Sequence, residues 1–361
     1  MKFSMFGVIT LAGIILMTTD MPAQSTSAAK YVAPRTAWGD PDLQGIWPSS
    51  EMIGVPLQRD PKLGTRAFLT DEEFAQRQKQ SSQQAAADSE EFVAARTGGG
   101  DGTGPPNHWG ERGTPQRQAS LIVDPPNGRM PPMTPDGERR AADRARRSST
   151  GAGPFNGPDD LDYYDRCISR GVLGGIAPVV YNNGTQIVQS PGYVAIRYEM
   201  IHETRIIPLD PSTLREPQGR PEQSRGTTSS GSPRAESRGD GRTVSSPAIR
   251  QHIGFARGHW EGDTLVIETT NFNGTIGVTG NGRLMPTSDS LRMVERFTRT
   301  DATTIQYEAT VDDPKTWTGP WRVSFPLKRD DDYGFFEYAC HEGNNAMRNI
   351  LSGARAAERA K

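Results

Sequence analysis

Two strand-like stretches in the C-terminal half place titratable side chains among apolar ones. Over 193–206 every second residue is mostly apolar, and the same face carries Tyr198 and His202. Over 291–298 the apolar alternation likewise includes Glu295. Because successive side chains of a strand point to opposite faces, the pattern predicts that all three groups point inward with the apolar residues.

An inward histidine and an inward carboxylate can act as general base and general acid. Burial raises the pKa of a carboxyl group, and a glutamate–histidine pair fixes the tautomer and orientation of the imidazole. We therefore predict catalytic roles for His202 and Glu295, with Tyr198 as a proton donor. Four further residues are predicted to bind or orient the substrate: His341, Arg205, Met200 and Met293.

The same side chains also have structural interpretations. A buried histidine or glutamate is often a hydrogen-bonded group of the core. Arg205 faces outward by alternation unless a bulge turns its strand. His202, His259 and His341 could ligate a metal ion if their strands converge, since imidazole is a common ligand. Sequence spacing does not establish that convergence, and we predict neither a metal nor a cofactor.

Common catalytic motifs are missing from the sequence. It has no phosphate-binding G-x-x-x-x-G-K-[ST] loop, no glycine-rich dinucleotide fingerprint after a strand, and no G-x-S-x-G elbow. His202-Glu203 and His341-Glu342 both lack a second histidine four residues on, so neither forms a zinc-protease helix. These absences exclude the common classes and leave acid–base chemistry without an organic cofactor.

The hydrophobic pattern changes to period-two alternation from residue 179 onward. Runs of this kind, separated by short turns, predict an antiparallel meander of seven or eight strands. A meander protects its edges best by closing into a barrel. The predicted strands cover 185–189, 193–207 with a break, 253–260, 264–272, 291–298, 304–311, 321–327 and 335–340.

Three helices are predicted, two before the meander and one after it. A capping box that starts at Thr70 predicts a helix over 71–84. Proline at a first helical position predicts a second helix over 135–147, and 344–361 is predicted as a C-terminal helix. The segment 211–246 is rich in arginine and acidic residues and nearly free of apolar ones, so it is predicted to be a disordered insertion.

Several stretches resemble a family of secreted bacterial proteins that has no settled function. They are LQGIW at 43–47, SLIVDPP at 120–126, MIHETRIIP at 200–208, WEGDTLV at 260–266 and YACHEGN at 338–344. The resemblance implies export and a single domain, and it supplies no catalytic residues. Gly45 and Trp47 at the entry to the meander also resemble lipocalin-type barrels, and the segment 211–246 departs from the family as an insertion.

The N-terminus has the three parts of a secretion signal. Lys2 precedes the apolar run MFGVITLAGIILM at 5–17, and Ala23 is a small residue suited to cleavage. The run is shorter than the roughly 20 residues that span a bilayer, so we predict a signal peptide over 1–23 and no membrane span in the mature chain. In an oxidising compartment Cys167 and Cys340 either form a disulfide or remain two small buried residues.

Composition bounds the partners and the domain count. The net charge of −2 gives no general attraction to nucleic acid, and 39 glycines and 28 prolines predict many turns.

We predict a mainly β, periplasmic or secreted protein with one domain over 30–361. It consists of a loop-rich N-terminal half over 30–170, a lipocalin-like barrel or strongly curved sheet, and the C-terminal helix. Its predicted partner is a small apolar or aromatic molecule that enters a pocket in the barrel. The protein is predicted to be either a lyase, isomerase or hydrolase that acts on this molecule, or a binding protein without catalysis.

Overall fold

Antiparallel strands dominate the computed structural model of the chain. The structure describes residues 31–88, 111, 113–147, 153, 155–161, 163–210, 249–278 and 285–360. The chain divides into two compact units, Met1–Val32 and Ala33–Lys361, and nearly all described residues belong to the second. The predicted signal peptide and the predicted insertion lie outside the described residues. No helix among the described residues is long and apolar enough to cross a membrane.

Ten strands form two sheets in the described part of the chain. The sheets have the strand orders β1-β3-β4-β5 and β2-β10-β9-β8-β7-β6, and every neighbouring pair is antiparallel. The strands are β1 (Gly45–Ile46), β2 (Ile122–Asp124), β3 (Thr185–Ser190), β4 (Tyr193–Tyr198), β5 (Thr204–Pro208), β6 (Phe255–Glu261), β7 (Thr264–Thr270), β8 (Arg292–Asp301), β9 (Thr304–Asp312) and β10 (Trp321–Lys328).

Most of the predicted meander is confirmed, but the strand predicted over 335–340 is wrong. That segment is extended and has no ladder partner. Both edges of β10 are already occupied, by β9 and β2, so no sheet edge is available there. Phe336 is 71% exposed, and its N–H donates to the side chain of Glu199 at 3.2 Å. The alternation of aromatic residues therefore does not correspond to a buried face.

Backbone hydrogen bonds connect the two sheets at two seams. At the first seam, Asp210 N–H donates to Gly258 O at 2.9 Å, where the chain leaves β5 and meets β6. At the second, Lys328 N–H at the end of β10 donates to Pro48 O at 3.2 Å, just beyond β1. Neither sheet closes on itself. The mainly β, antiparallel fold with a C-terminal helix is confirmed, and the barrel is not.

One hydrophobic core runs through both sheets. Ile187, Val194 and Ile196 of the smaller sheet belong to the same buried cluster as the aromatic residues of the larger one. The ring of Tyr307 packs 4.9 Å from that of Phe297 and 5.1 Å from that of Phe325, between centroids. Tilted pairs at such distances are favourable. The space between the sheets is therefore filled by side chains.

Four α-helices lie in the described residues: α1 (Asp71–Asp88), α2 (Pro135–Arg147), α3 (Val172–Ile176) and α4 (Asn345–Arg359). The predicted capping box is confirmed, since Thr70 N–H donates to Glu73 Oε2 at 2.9 Å and Glu73 N–H donates to Thr70 Oγ1 at 3.3 Å. α1 extends one turn beyond the prediction because its last residues include three alanines, which favour helix. α3 is short and was not predicted.

Candidate functional site

A buried arginine–glutamate pair occupies the interior between the sheets. Arg205 donates to Glu295 through both terminal nitrogens, at 2.7 Å to Oε2 and 3.0 Å to Oε1. The two side chains are 2% and 0% exposed. Two parallel hydrogen bonds to one carboxylate are the strongest geometry for such a pair. Two residues that the sequence nominated for a site are thus in direct contact.

Three hydroxyl groups complete the hydrogen bonding of this pair. Arg205 also donates to the hydroxyl oxygens of Tyr198, at 2.9 Å, and Thr269, at 3.0 Å. The Tyr307 hydroxyl donates to Glu295 Oε1 at 3.1 Å. Thr269 and Tyr307 were not predicted. Tyr307 lies on the buried, odd-numbered face of β9, so the alternation that nominated Glu295 on β8 could have identified it.

Burial and charge keep Tyr198, Tyr307 and Arg205 protonated. Burial raises the pKa of Tyr198, and the negative charge of Glu295 adds to burial in raising that of Tyr307. Burial lowers the pKa of Arg205, but Glu295 and Tyr198 outweigh it, so the net direction is upward. Without access to solvent, Glu295 and Tyr198 form a closed polar unit that holds the sheets together. They cannot meet a substrate there.

A kink between β4 and β5 explains why Arg205 points inward. Ile201 and His202 have left-handed backbones, with φ of 62° and 46°. Val194, Ile196 and Tyr198 are buried before the kink, whereas Arg205 and Ile207 are buried after it. The kink therefore reverses which residues face the core.

The predicted inward positions of His202 and Ile206 are wrong for this reason. His202 is exposed and Ile206 is 62% exposed. The predicted pairing of His202 with Glu295 is absent, because the carboxylate is fully enclosed while the imidazole lies outside. His341 is likewise exposed. Met293 is buried in the core, and Met200 is buried next to the Tyr164 hydroxyl, 4.0 Å from its sulfur.

His202 has a defined orientation despite its exposure. Its Nδ1 lies 3.1 Å from the backbone oxygen of Tyr338. A carbonyl oxygen can only accept a hydrogen bond, so Nδ1 carries the hydrogen in this contact. In the neutral ring the lone pair then lies on Nε2, the nitrogen a general base uses.

Three tyrosines cluster beside this histidine. The hydroxyls of Tyr164 and Tyr338 are 2.9 Å apart, and the Tyr181 hydroxyl interacts with both. Burial is the main cause that raises the pKa of Tyr164 and of Tyr181 to about 12, and it also raises that of Tyr338. At neutral pH all three are protonated and can donate hydrogen bonds. We call Tyr164, Tyr181 and Tyr338 the tyrosine cluster.

A pocket of about 360 Å³ opens next to the tyrosine cluster. Tyr164 and Tyr338 line it together with Cys167 and Cys340, which form a disulfide. The disulfide joins two irregular segments that no ladder holds, and it thereby fixes Tyr338 near Tyr164. We call this the tyrosine pocket.

A half-buried and a buried carboxyl group flank the kink. Ser169 Oγ donates to Glu203 Oε2 at 2.6 Å, yet burial outweighs this bond and raises the pKa of Glu203. The buried one, Glu199, accepts from Tyr333 at 2.8 Å and from Asn182 at 2.9 Å. These bonds fix the backbone on both sides of His202.

The described residues contain no group of three or more histidine, cysteine, aspartate or glutamate side chains placed to hold a metal ion. His259, the third member of the possible histidine site, instead lies 3.2 Å from Glu261. Compared with known proteins, the chain matches no family model, no curated protein and no solved structure. The family resemblance of the sequence therefore stays a prediction.

Proposed function

We propose that the protein is an exported enzyme that acts on a small aromatic molecule by acid–base chemistry. The reaction takes place at the tyrosine pocket, not between the sheets. One observation carries the proposal: His202 contacts the backbone oxygen of Tyr338, and Tyr338 lines the pocket together with Tyr164. His202 Nε2 is the base, and a tyrosine hydroxyl is the donor that stabilises or protonates the oxygen of the substrate.

Backbone strain at Ile201, next to His202, supports this assignment. Among non-glycine residues, asparagine, aspartate and histidine adopt left-handed φ values more often than others, whereas Ile201 is β-branched, for which they are a genuine outlier. Strained conformations persist where the surrounding structure enforces them, and they cluster at functional sites. Here the strained turn directs the imidazole outward to the backbone oxygen of Tyr338, which lines the pocket.

The barrel and the export belong to the same proposal. Backbone hydrogen bonds at both seams and the single shared core support one barrel made of the two sheets. The disulfide supports an oxidising compartment, in agreement with the signal-like N-terminus. The space between the two sheets is packed with side chains, so the proposed ligand binds at the tyrosine pocket and not in that interior.

A binding protein without catalysis is the second candidate. The raised pKa values of Tyr164 and Tyr181 favour it, because such phenols still donate hydrogen bonds but release a proton less readily at neutral pH. In that case His202 only contacts the backbone of Tyr338 and takes no proton.

The test compares the wild-type protein with His202→Asn and with His259→Asn. Asparagine tolerates the left-handed backbone of position 202 and removes the basic nitrogen. Each protein is incubated with a library of aromatic compounds, and free and bound fractions are analysed by mass spectrometry. Catalytic depletion of one compound, lost only in His202→Asn, supports the enzyme. A compound retained one-to-one and released unchanged supports the binding protein, and depletion that survives in His202→Asn rejects His202 as the base.

A further inference from the structure

Four arginines in the described part of the chain are buried, and three of them have hydrogen-bond acceptors. Arg205 binds Glu295, as described above. Arg59 donates to Pro126 O at 2.7 Å, and Arg299 donates to two backbone oxygens at 2.7 and 2.9 Å. The fourth is Arg170, which is 2% exposed.

Arg170 has no acceptor among the described residues. Its Nε is buried without a partner, and its main neighbour is the ring of Tyr164, 5.8 Å from the guanidinium carbon. Burial lowers its pKa, and only the tyrosine cluster opposes that direction. A buried charge without an anion destabilises a fold. Arg170 therefore lacks a charged partner among the described residues, and its environment favours a bound anion.

The tyrosine cluster indicates where such an anion could bind. Arg170 acts electrostatically on all three of its hydroxyls, and two of its tyrosines line the tyrosine pocket. An anionic group in the pocket can accept from these hydroxyls while the guanidinium behind them balances its charge. Asp165 and Glu342 also line the pocket, and they repel a dianion more strongly than a monoanion.

We propose that the tyrosine pocket binds the carboxylate of a small aromatic acid, with Arg170 as the charge that balances it. This rests on the proposed function and specifies its ligand class. The tyrosine hydroxyls donate to the carboxylate, the tyrosine rings contact the aromatic ring, and Arg170 is a positioning residue behind them.

Titration calorimetry at pH 7 tests the proposal with benzoate and cinnamate, their uncharged amides, and inorganic phosphate. We expect each acid to bind the wild-type protein about tenfold to a hundredfold more tightly than its amide, the size of one charged interaction. Arg170→Met removes this preference. Arg166→Met is the matched control, since Arg166 stacks on Tyr163 at 5.2 Å and pairs with Asp159, and it keeps the preference.

Several results would overturn the proposal. The first two are equal binding of acid and amide to the wild-type protein, and an acid preference that survives in Arg170→Met. The other two are phosphate binding as tight as that of the acids, and no binding of either acid at millimolar concentration. Turnover of an uncharged aromatic compound that depends on His202, without an acid preference, rejects this ligand class and leaves the enzyme intact. Tight binding of an acid without any turnover supports the ligand class and rejects the enzyme.

Thermal unfolding of the ligand-free protein gives an independent readout. Arg170→Met is expected to unfold at the wild-type temperature or above, because it removes an unpaired buried charge. Arg205→Met, at an equally buried position, is expected to unfold at a clearly lower temperature because it leaves Glu295 unpaired. Equal losses in the two variants would mean that Arg170 already has a partner within the fold, and the proposal would then fail.

Discussion

The interior pair of Arg205 and Glu295 makes a quantitative prediction about stability. Glu295→Gln keeps the shape of the side chain and removes its charge, while the guanidinium stays enclosed at 2% exposure. Breaking a buried pair by removing one partner costs about 3–5 kcal/mol, because the remaining charge is uncompensated. Domains are stable by about 5–15 kcal/mol in total, so this single substitution removes a large share of the stability.

Combining substitutions separates the charge from the hydroxyl groups around it. Arg205→Met with Glu295→Leu leaves no buried charge, so most of the loss is recovered. The Tyr307 hydroxyl then has lost its acceptor, which costs about 1–3 kcal/mol for a buried donor. Adding Tyr307→Phe removes that donor, and the triple variant is expected to regain further stability but to stay below the wild type, because the buried hydroxyls of Tyr198 and Thr269 have lost Arg205 as their donor.

Urea unfolding followed by tryptophan fluorescence measures these differences, with the disulfide left intact. The midpoint should fall strongly in Glu295→Gln and recover stepwise in the double and triple variants, while the slope against urea stays constant. A loss below about 1 kcal/mol in Glu295→Gln would be typical of an exposed pair. That result would refute the assignment of Arg205 and Glu295 to an enclosed interior.

Three further predictions concern the disulfide, the tyrosine cluster and the core. Replacing Cys167 and Cys340 with serine removes a crosslink over a sequence separation of 173 residues. In the chain-entropy model this lowers the free energy of unfolding by about 5 kcal/mol. Denaturant unfolding of the wild-type protein and the variant measures the difference, and an unchanged midpoint would contradict the prediction. The folded pKa of Tyr164 and of Tyr181 is about 12, above the usual value of about 10. Their contribution to stability is therefore complete below pH 10 and is lost as the pH rises toward 12, so melting temperatures should fall over this range, and a flat profile would count against the assignment. Phe297→Ala, in the fully buried core, should cost about 3–5 kcal/mol in the same unfolding assay, and a loss under 1 kcal/mol would show that its site is not closely packed.

Local sequence signals predicted the local structure well. The capping box of α1 and the proline at the start of α2 act within a few residues, so their helices begin where the sequence indicates. Alternation predicted most strands of the meander to within about two residues, because one face of each must be buried against the core. It failed over 335–340, where apolar residues alternate without a sheet edge to pair with.

The candidate site could not be predicted because it depends on one backbone reversal and on distant contacts. Ile201, where the left-handed backbone begins, is a residue type that rarely adopts it, and a shift by one residue moves every later side chain to the opposite face. Alternation alone therefore assigned Arg205 to the outer face and His202 to the inner face, the opposite of what the structure has. Tyr164 and Arg170 lie in irregular segments with no periodicity, so no pattern connected them with Tyr338, from which they are separated by more than 160 residues.

The kink links stability and function in one segment. Tyr198 points into the interior before the kink, and Arg205 points into the interior after it. The hydroxyl of Tyr198 accepts a hydrogen bond from Arg205, so the two sides of the kink are joined. The reversal that brings Arg205 to Glu295 also forces His202 outward to Tyr338. The enclosed pair stabilises a conformation that Ile201 and His202 would not adopt alone. The proposed base is thus held at the pocket by a charge pair that never meets the substrate.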